Sequence, residues 1–146
     1  MDMSPPPSPR LWLNDCHRHA ARKLLPENRP SLALGPVANW IGKQWYGKKF
    51  AELAKRLTSL SGILQDAPVV VLGGPNERAQ TEAVTQLIPS DQRVDLVGKI
   101  DLLTACAVLR QCARFVVNAS GLMHIAVASG MALLGLFGLG CVRHFA

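Results

Sequence analysis

The chain has 146 residues, of which 49% are hydrophobic and 18% charged, with a net charge of +6. That length supports one domain with its own core, and the composition excludes a disordered chain. The opening MDMSPPPSPR has no apolar run of the kind a secretory signal needs.

Cys16, Cys106, Cys112 and Cys141 show no C-x-x-C spacing, which argues against a zinc site. Without a secretory signal, a disulfide framework is not expected either, so the chain reads as a reduced, cytoplasmic protein. The positive charge would suit nucleic acid, an anionic membrane or a phosphorylated small molecule. No Arg-rich helix or RNA-binding aromatic signature is present, and Lys and Arg solvated on helix faces explain the charge more simply. No specific nucleic-acid partner is expected.

In chain order, SPPPSP (Ser4 to Pro9) reads as an extended linker. A helix is expected from about Asp15 to Leu25, stopped by Pro26 and Pro30. From there strands and helices alternate. Ser31 to Gly35 is a short apolar run ending in Gly-Pro, and Phe50, Leu53, Ala54 and Leu57 recur at helical spacing. Pro68 to Gly74 is a β-branched run ending in glycines, as in a buried parallel strand. NERAQTEAVTQLI is a helix and RVDLVG a short strand; Asp101 to Cys112 is a helix with Asp101 as its cap. RFVVN is a strand, SGLMHIAVASG a short helix, and Ala132 to Gly138 a fifth strand. Residues 1–29 are expected to form a linker and N-terminal helix, and residues 30–146 one domain of alternating strands and helices.

No Asp, Glu, Lys or Arg lies between Arg114 and Arg143, an interval long enough to span a bilayer. Asn118, Ser120, His124, Ser129 and several glycines interrupt it, however. A strand–turn–helix–strand buried on both sides explains the same lack of charge, so the chain is read as not transmembrane.

Strand–helix alternation implies βαβ units on a parallel sheet, the doubly wound α/β class. Ligands in that class sit past the carboxyl ends of the strands. Four loops are thereby nominated: Gly35 to Trp45, Gly73 to Arg78, Gly98 to Asp101, and Asn118 to His124. In the last, Ser120 is placed to cap the following helix, and the amides of Gly121, Leu122 and Met123 form an anion-favouring helix end. Gly121 lets a ligand approach the backbone closely. A plain capped helix explains the same residues, and a lone His124 is more often a hydrogen-bonded structural histidine than a catalyst. In the first loop Lys43 offers a point charge suited to phosphate and Asn39 adds amide donors. Trp40 and Trp45 can wall a pocket or pack the loop onto the core. After the second strand, Gly73 and Gly74 leave open backbone, and Glu77 is placed either to take ribose hydroxyls or to serve as a helix-dipole partner. There is no G-x-G-x-x-G after the first strand and no Walker lysine motif, which argues against a nicotinamide or P-loop site.

Five stretches in one order carry a resemblance: LALGPVANWIGKQW, FAELAKRL, VVVLGGPNERA, DLVGKIDLL and NASGLMHIAVASG…LFG. From about Pro9 to Phe137 the chain resembles the C-terminal half of glycosyltransferase family 9, the heptosyltransferases of lipopolysaccharide core synthesis. The resemblance implies a truncated part of the GT-B architecture: in residues 30–146, a Rossmann-like α/β domain with a parallel sheet, incomplete at its C-terminus, that binds a sugar nucleotide, typically ADP-heptose. It implies that Lys43, in the family's Lys-x-Trp element, holds the pyrophosphate and that Glu77 meets the ribose. It places Ser120, Gly121 and His124 against the diphosphate and donor sugar, with Asn39 and Gly73 on the nucleotide. No metal and no further cofactor is implied. Lipid A–core is the acceptor only if an N-terminal domain is supplied, and a peripheral place at the cytosolic face of the bacterial inner membrane goes with it.

The sequence departs from the family in ways that bear on function. The family reads Gly-Asn-Asp before its Ser-Gly; here Val117, Asn118 and Ala119 stand there, so the acidic residue facing the donor is missing. Ala132 and Leu139 replace prolines, and the tail GLGCVRHFA does not resemble the family. With the acceptor domain and its base absent, no catalytic residue is assigned, and the chain alone is expected to bind nucleotide and transfer nothing. The alternative is a non-catalytic Rossmann-like interaction module that pairs with another chain.

Overall fold

The computed structural model describes residues 13–26, 29–37, 45–118, 121–128, 130–131 and 133–136. Among them, α1 (Asp15–Leu24) is followed by β1 (Leu32–Gly35), α2 (Gly47–Thr58), β2 (Val69–Val71), α3 (Arg78–Leu87) and β3 (Arg93–Asp95). Then come α4 (Leu102–Gln111), β4 (Arg114–Asn118), α5 (Gly121–Ala128) and β5 (Leu133–Leu136). The five strands form one parallel sheet in the order β3-β2-β1-β4-β5.

The ends of these elements follow from local chemistry. Asn14 caps α1 by accepting from the His17 N–H, while His17 Nδ1 accepts from the Asn14 N–H, a capping box with histidine in the usual Glu position. Asp101 caps α4 as expected, its Oδ1 2.7 Å from the Thr104 amide. Helix α1 stops just before Pro26, and α3 just before Pro89, since the residue preceding a proline disfavours helical backbone. The Arg93 guanidinium donates to the carbonyls of Thr85 and Ile88, satisfying the open end of α3.

Strand side chains alternate between the two faces of the sheet, and each face has its own core. Ala33, Val70, Phe115 and Val117 pack with residues of α1, α4 and α5, including Ala21, Val108 and Met123. Leu32, Leu34, Val69, Val71 and Val116 pack with Phe50 and Ala54 of α2 and Val84 of α3. Strands β1 and β2 are buried throughout, as their unbroken apolar runs require. The charge-free interval after Arg114 is β4, α5 and β5, and no described helix is long and apolar enough to cross a membrane.

The strand order places the site. From β1 the chain winds outward through β2 and β3, then returns to β4 and β5 on the other side of β1. The sheet therefore reverses direction between β1 and β4, where ligands enter in folds of this kind. Gly35 closes β1 beside β4: a Cβ there would lie 2.7 Å from Val117 Cγ2 and 3.1 Å from Phe115 Cζ. This glycine serves strand packing rather than a ligand.

Candidate functional site

At the reversal point β4 ends in Asn118, which is fully buried. Its Oδ1 accepts the Trp45 N–H at 3.0 Å, tying the β1–α2 connection to the end of β4. A backbone N–H can only donate, so the carboxamide oxygen must face Trp45 and Nδ2 must point elsewhere. That Nδ2 is buried and has no hydrogen-bond partner among the described residues. Leaving such a donor unpaired costs about 1–3 kcal/mol. The Trp45 ring packs edge-on against Phe50, with centroids 5.2 Å apart and planes at 67°. Of the two roles open to Trp45, the structure shows packing onto the core.

Helix α5 starts at Gly121, just past this strand end, so its first-turn amides lie at the carboxyl edge of the sheet. Gly121 is exposed, and a Cβ built on it would meet nothing within 4 Å. Packing therefore does not demand glycine here, and the backbone is open to approach. His124 is exposed three residues on, on the same side of the helix. Its exposure departs from the usual buried structural histidine. Lys43, Asn39, Trp40, Ala119 and Ser120 lie outside the described residues.

The loops after β2 and β3 form a second cluster on the same edge. Here the expectation of open glycine backbone needs correcting. The Gly73 carbonyl accepts from the Gly98 N–H at 2.9 Å, and the Gly74 N–H donates to Glu77 Oε2 at 2.5 Å. Glu77 stands at the N-cap position of α3 but makes no capping bond; its carboxylate turns back onto the loop, where a charged acceptor strengthens the contact. Gly98 has φ +69°, and a Cβ there would lie 3.0 Å from Pro75 Cα, so both backbone shape and space call for glycine. Arg78 joins the two loops, pairing with Asp95 Oδ2 at 2.5 Å and donating to the Val97 carbonyl at 2.8 Å. Burial pushes the Asp95 carboxyl up. Its bonds to Arg78 and the Val97 N–H, with the charges of Arg78 and Lys99, outweigh that and hold it below its ordinary value.

Sequence reasoning missed the Asn118–Trp45 bond and the Arg78–Asp95 brace. No local signal links positions 73 residues apart, and a charged pair joining two loops has no periodicity. A groove of about 1240 Å³ opens at the opposite, amino edge, lined by Thr58, Leu60, Pro68, Leu87, Pro89 and Gln92 among others. None of the candidate residues lines it, and it lies away from the strand ends where this class of fold binds ligands.

A parallel sheet in the order 3-2-1-4-5, with a helix amino end at its reversal point, defines a Rossmann-like α/β domain. The sequence profile of glycosyltransferase family 9 (heptosyltransferase) matches residues 2–143, and the chain belongs to that family. The match extends past Phe137 into the tail, further than the sequence motifs suggested. The chain is 33% identical over 114 residues to lipooligosaccharide heptosyltransferase 2 of Haemophilus influenzae, covering 75% of this chain and 32% of that protein. It superposes on the Escherichia coli ADP-heptose lipopolysaccharide heptosyltransferase II with a TM-score of 0.77 and 26% identity, covering 90% of this chain and 40% of that one. It has the same fold as part of the E. coli heptosyltransferase WaaC, solved with ADP-2-deoxy-2-fluoro heptose, at a TM-score of 0.64 and 19% identity over 83% of this chain and 38% of that one. The chain thus has the α/β fold of one part of a GT-B-type heptosyltransferase and spans 32% and 40% of the length of the first two of these relatives.

Proposed function

We propose that this chain is the sugar-nucleotide part of a heptosyltransferase, taking ADP-heptose as donor for transfer to the lipopolysaccharide core at the cytosolic face of the inner membrane. The observation that carries this is the amino end of α5, opened by Gly121 where β4 leaves the sheet beside β1. Residues 30–146 form the donor domain. Lys43, Ser120, Gly121 and His124 take the diphosphate and sugar; Glu77, Asn39 and Gly73 take the nucleoside. Glu77 keeps one carboxylate oxygen on Gly74 and offers the other to a ribose hydroxyl. In the transfer, a base outside this chain deprotonates the acceptor hydroxyl, which attacks the anomeric carbon. The bond to the diphosphate breaks, and ADP leaves with its charge stabilised by Lys43 and the helix end.

A thermal melt with and without ADP, repeated on Lys43→Ala, tests this. A ligand that binds only the folded state raises the midpoint, by about 2.7 kcal/mol of stability at a hundredfold excess over Kd. The expected result is an upward shift that Lys43→Ala loses. A cooperative melt with no shift would mean that Ala119 has cost the chain its donor site. Acceptor-dependent release of ADP from ADP-heptose by this chain alone would overturn the assignment of the base elsewhere.

A second reading, an interaction module that pairs with another chain, is favoured by Val127 on α5 and Leu134 on β5, which are 56% and 55% exposed. Light scattering on the purified chain separates the two: a monomer at high concentration counts against pairing with a second copy.

A further inference from the structure

We infer that Arg78 is a positioning residue of the nucleoside half of the site: by tying the start of α3 to the end of β3 it sets the place of the Glu77 carboxylate, and with it the preference for a ligand that carries ribose hydroxyls. The inference rests on the donor-binding reading above and adds to it a residue that touches no atom of the ligand. Glu77 is the N-cap residue of α3, yet its side chain makes no capping bond. Its carboxylate instead accepts the Gly74 N–H at 2.5 Å, and its own N–H donates to the Gly74 carbonyl at 3.1 Å. Both bonds run to one glycine of the same loop. They curl Glu77 onto that loop without tying it to the rest of the sheet edge.

Arg78 supplies that tie. It is the next residue, so its Cα lies about 3.8 Å from that of Glu77. Its guanidinium forks, with one nitrogen 2.5 Å from Asp95 Oδ2 and the other 2.8 Å from the Val97 carbonyl. Asp95 uses its second oxygen on the Val97 N–H at 3.1 Å. The three residues thereby close a ring of bonds that engages both oxygens of Asp95 and both backbone groups of Val97. The ring is seated against the glycine loop that holds Glu77. Gly98, next after Val97, donates to the Gly73 carbonyl at 2.9 Å, and a Cβ on Gly73 would lie 3.3 Å from Val97 Cγ1. A half-exposed ion pair by itself contributes little. A planar fork shared between a carboxylate and the carbonyl of a buried residue also fixes direction, and that is what places the neighbouring carboxylate.

The test uses the full chain and calorimetry with three ligands: ADP, its dideoxyribose analogue, which lacks both ribose hydroxyls, and pyrophosphate. The unaltered chain should prefer ADP to the analogue about tenfold, roughly the worth of one hydrogen bond to a charged group. Arg78→Ala should lower that preference to about threefold or less, while its affinity for the analogue and for pyrophosphate stays as it was. In a Glu77→Ala background, Arg78→Ala should change ADP affinity no further, since the residue acts through Glu77. A tenfold preference retained in a folded Arg78→Ala chain overturns the inference. So does an equal loss for all three ligands, which is what a merely structural role gives. If Arg78→Ala does not fold, Asp95→Asn decides in its place: it keeps the acceptor for Val97, removes the one for Arg78, and should lower the preference likewise. An unaltered chain that binds ADP and the analogue alike removes the ribose role of Glu77 and the role built on it. A preference that Glu77→Ala abolishes and Arg78→Ala leaves intact removes the role of Arg78 alone.

Discussion

The loops after β2 and β3 and the loops around β1 and β4 share one edge of one sheet, yet they treat their polar groups in opposite ways. In the first region every prominent group is matched from within: Gly73 with Gly98, Gly74 with Glu77, and Arg78 with Asp95 and Val97. In the second, Asn118 holds Trp45 but keeps a buried Nδ2 unpaired among the described residues, and Gly121 faces open space. A self-satisfied region is rigid before any ligand arrives. A helix amino end beside open backbone is a place an anion can approach. Under the donor-binding proposal, the loops after β2 and β3 form a preformed half of the cleft, and the loops around β1 and β4 the half completed by its ligand.

The largest effect should come from breaking the satisfied region. Gly98→Ala forces an L side chain into positive φ and against Pro75, and should cost about 1–3 kcal/mol of stability. A chemical denaturation curve reads this directly, and an unchanged midpoint would show that the loop is softer than its bonds imply. Next in size, Glu77→Ala should weaken ADP about tenfold, roughly the worth of one hydrogen bond to a charged group. Pyrophosphate alone should bind as before, because the ribose contact is what is lost; equal weakening of both ligands would place Glu77 elsewhere.

Arg78→Ala should act mainly through pH. The Asp95 carboxyl is held below its ordinary value in the folded chain, so its contribution is present at neutral pH and is lost as the pH falls below about 4. Since the Arg78 side chain is about half exposed, that contribution should stay under about 1 kcal/mol. Removing Arg78 should flatten the acid limb of the stability–pH curve, and a curve that keeps its slope would deny the pair its role. The smallest stability effect belongs to the open region. Gly121→Ala should leave stability within about 0.5 kcal/mol, because its Cβ meets nothing. It should nevertheless weaken ADP several-fold by filling the approach to the backbone. A large stability loss here would show that Gly121 serves packing after all.

Much of the fold was legible in the sequence because its signals are local. The β-branched run at Val69 to Val71, the helical recurrence of Phe50, Leu53, Ala54 and Leu57, and the cap at Asp101 each state their element within a few residues. The N-cap at Asn14 was less visible, because a histidine takes the place where the usual signature has Glu or Gln. In the candidate site, Gly121 and His124 stand three residues apart on α5 and so on one side of it. Glu77 could not be assigned from its position alone: a carboxylate at a helix start can cap, face the dipole or turn back, and only the neighbouring Gly74 amide decides among these.

The sequence by itself determined the alternation of strands and helices, the placing of the connecting loops at strand ends, and a family resemblance carried by five ordered motifs. All three depend on residue type and short-range spacing, which a linear chain displays. Tertiary structure alone decided that Asn118 meets Trp45, that Arg78 braces Asp95, and that Gly35 yields to Val117. Those pairings arise when neighbouring strands bring distant segments within hydrogen-bonding or contact range, and no periodicity along the chain records which segments will meet.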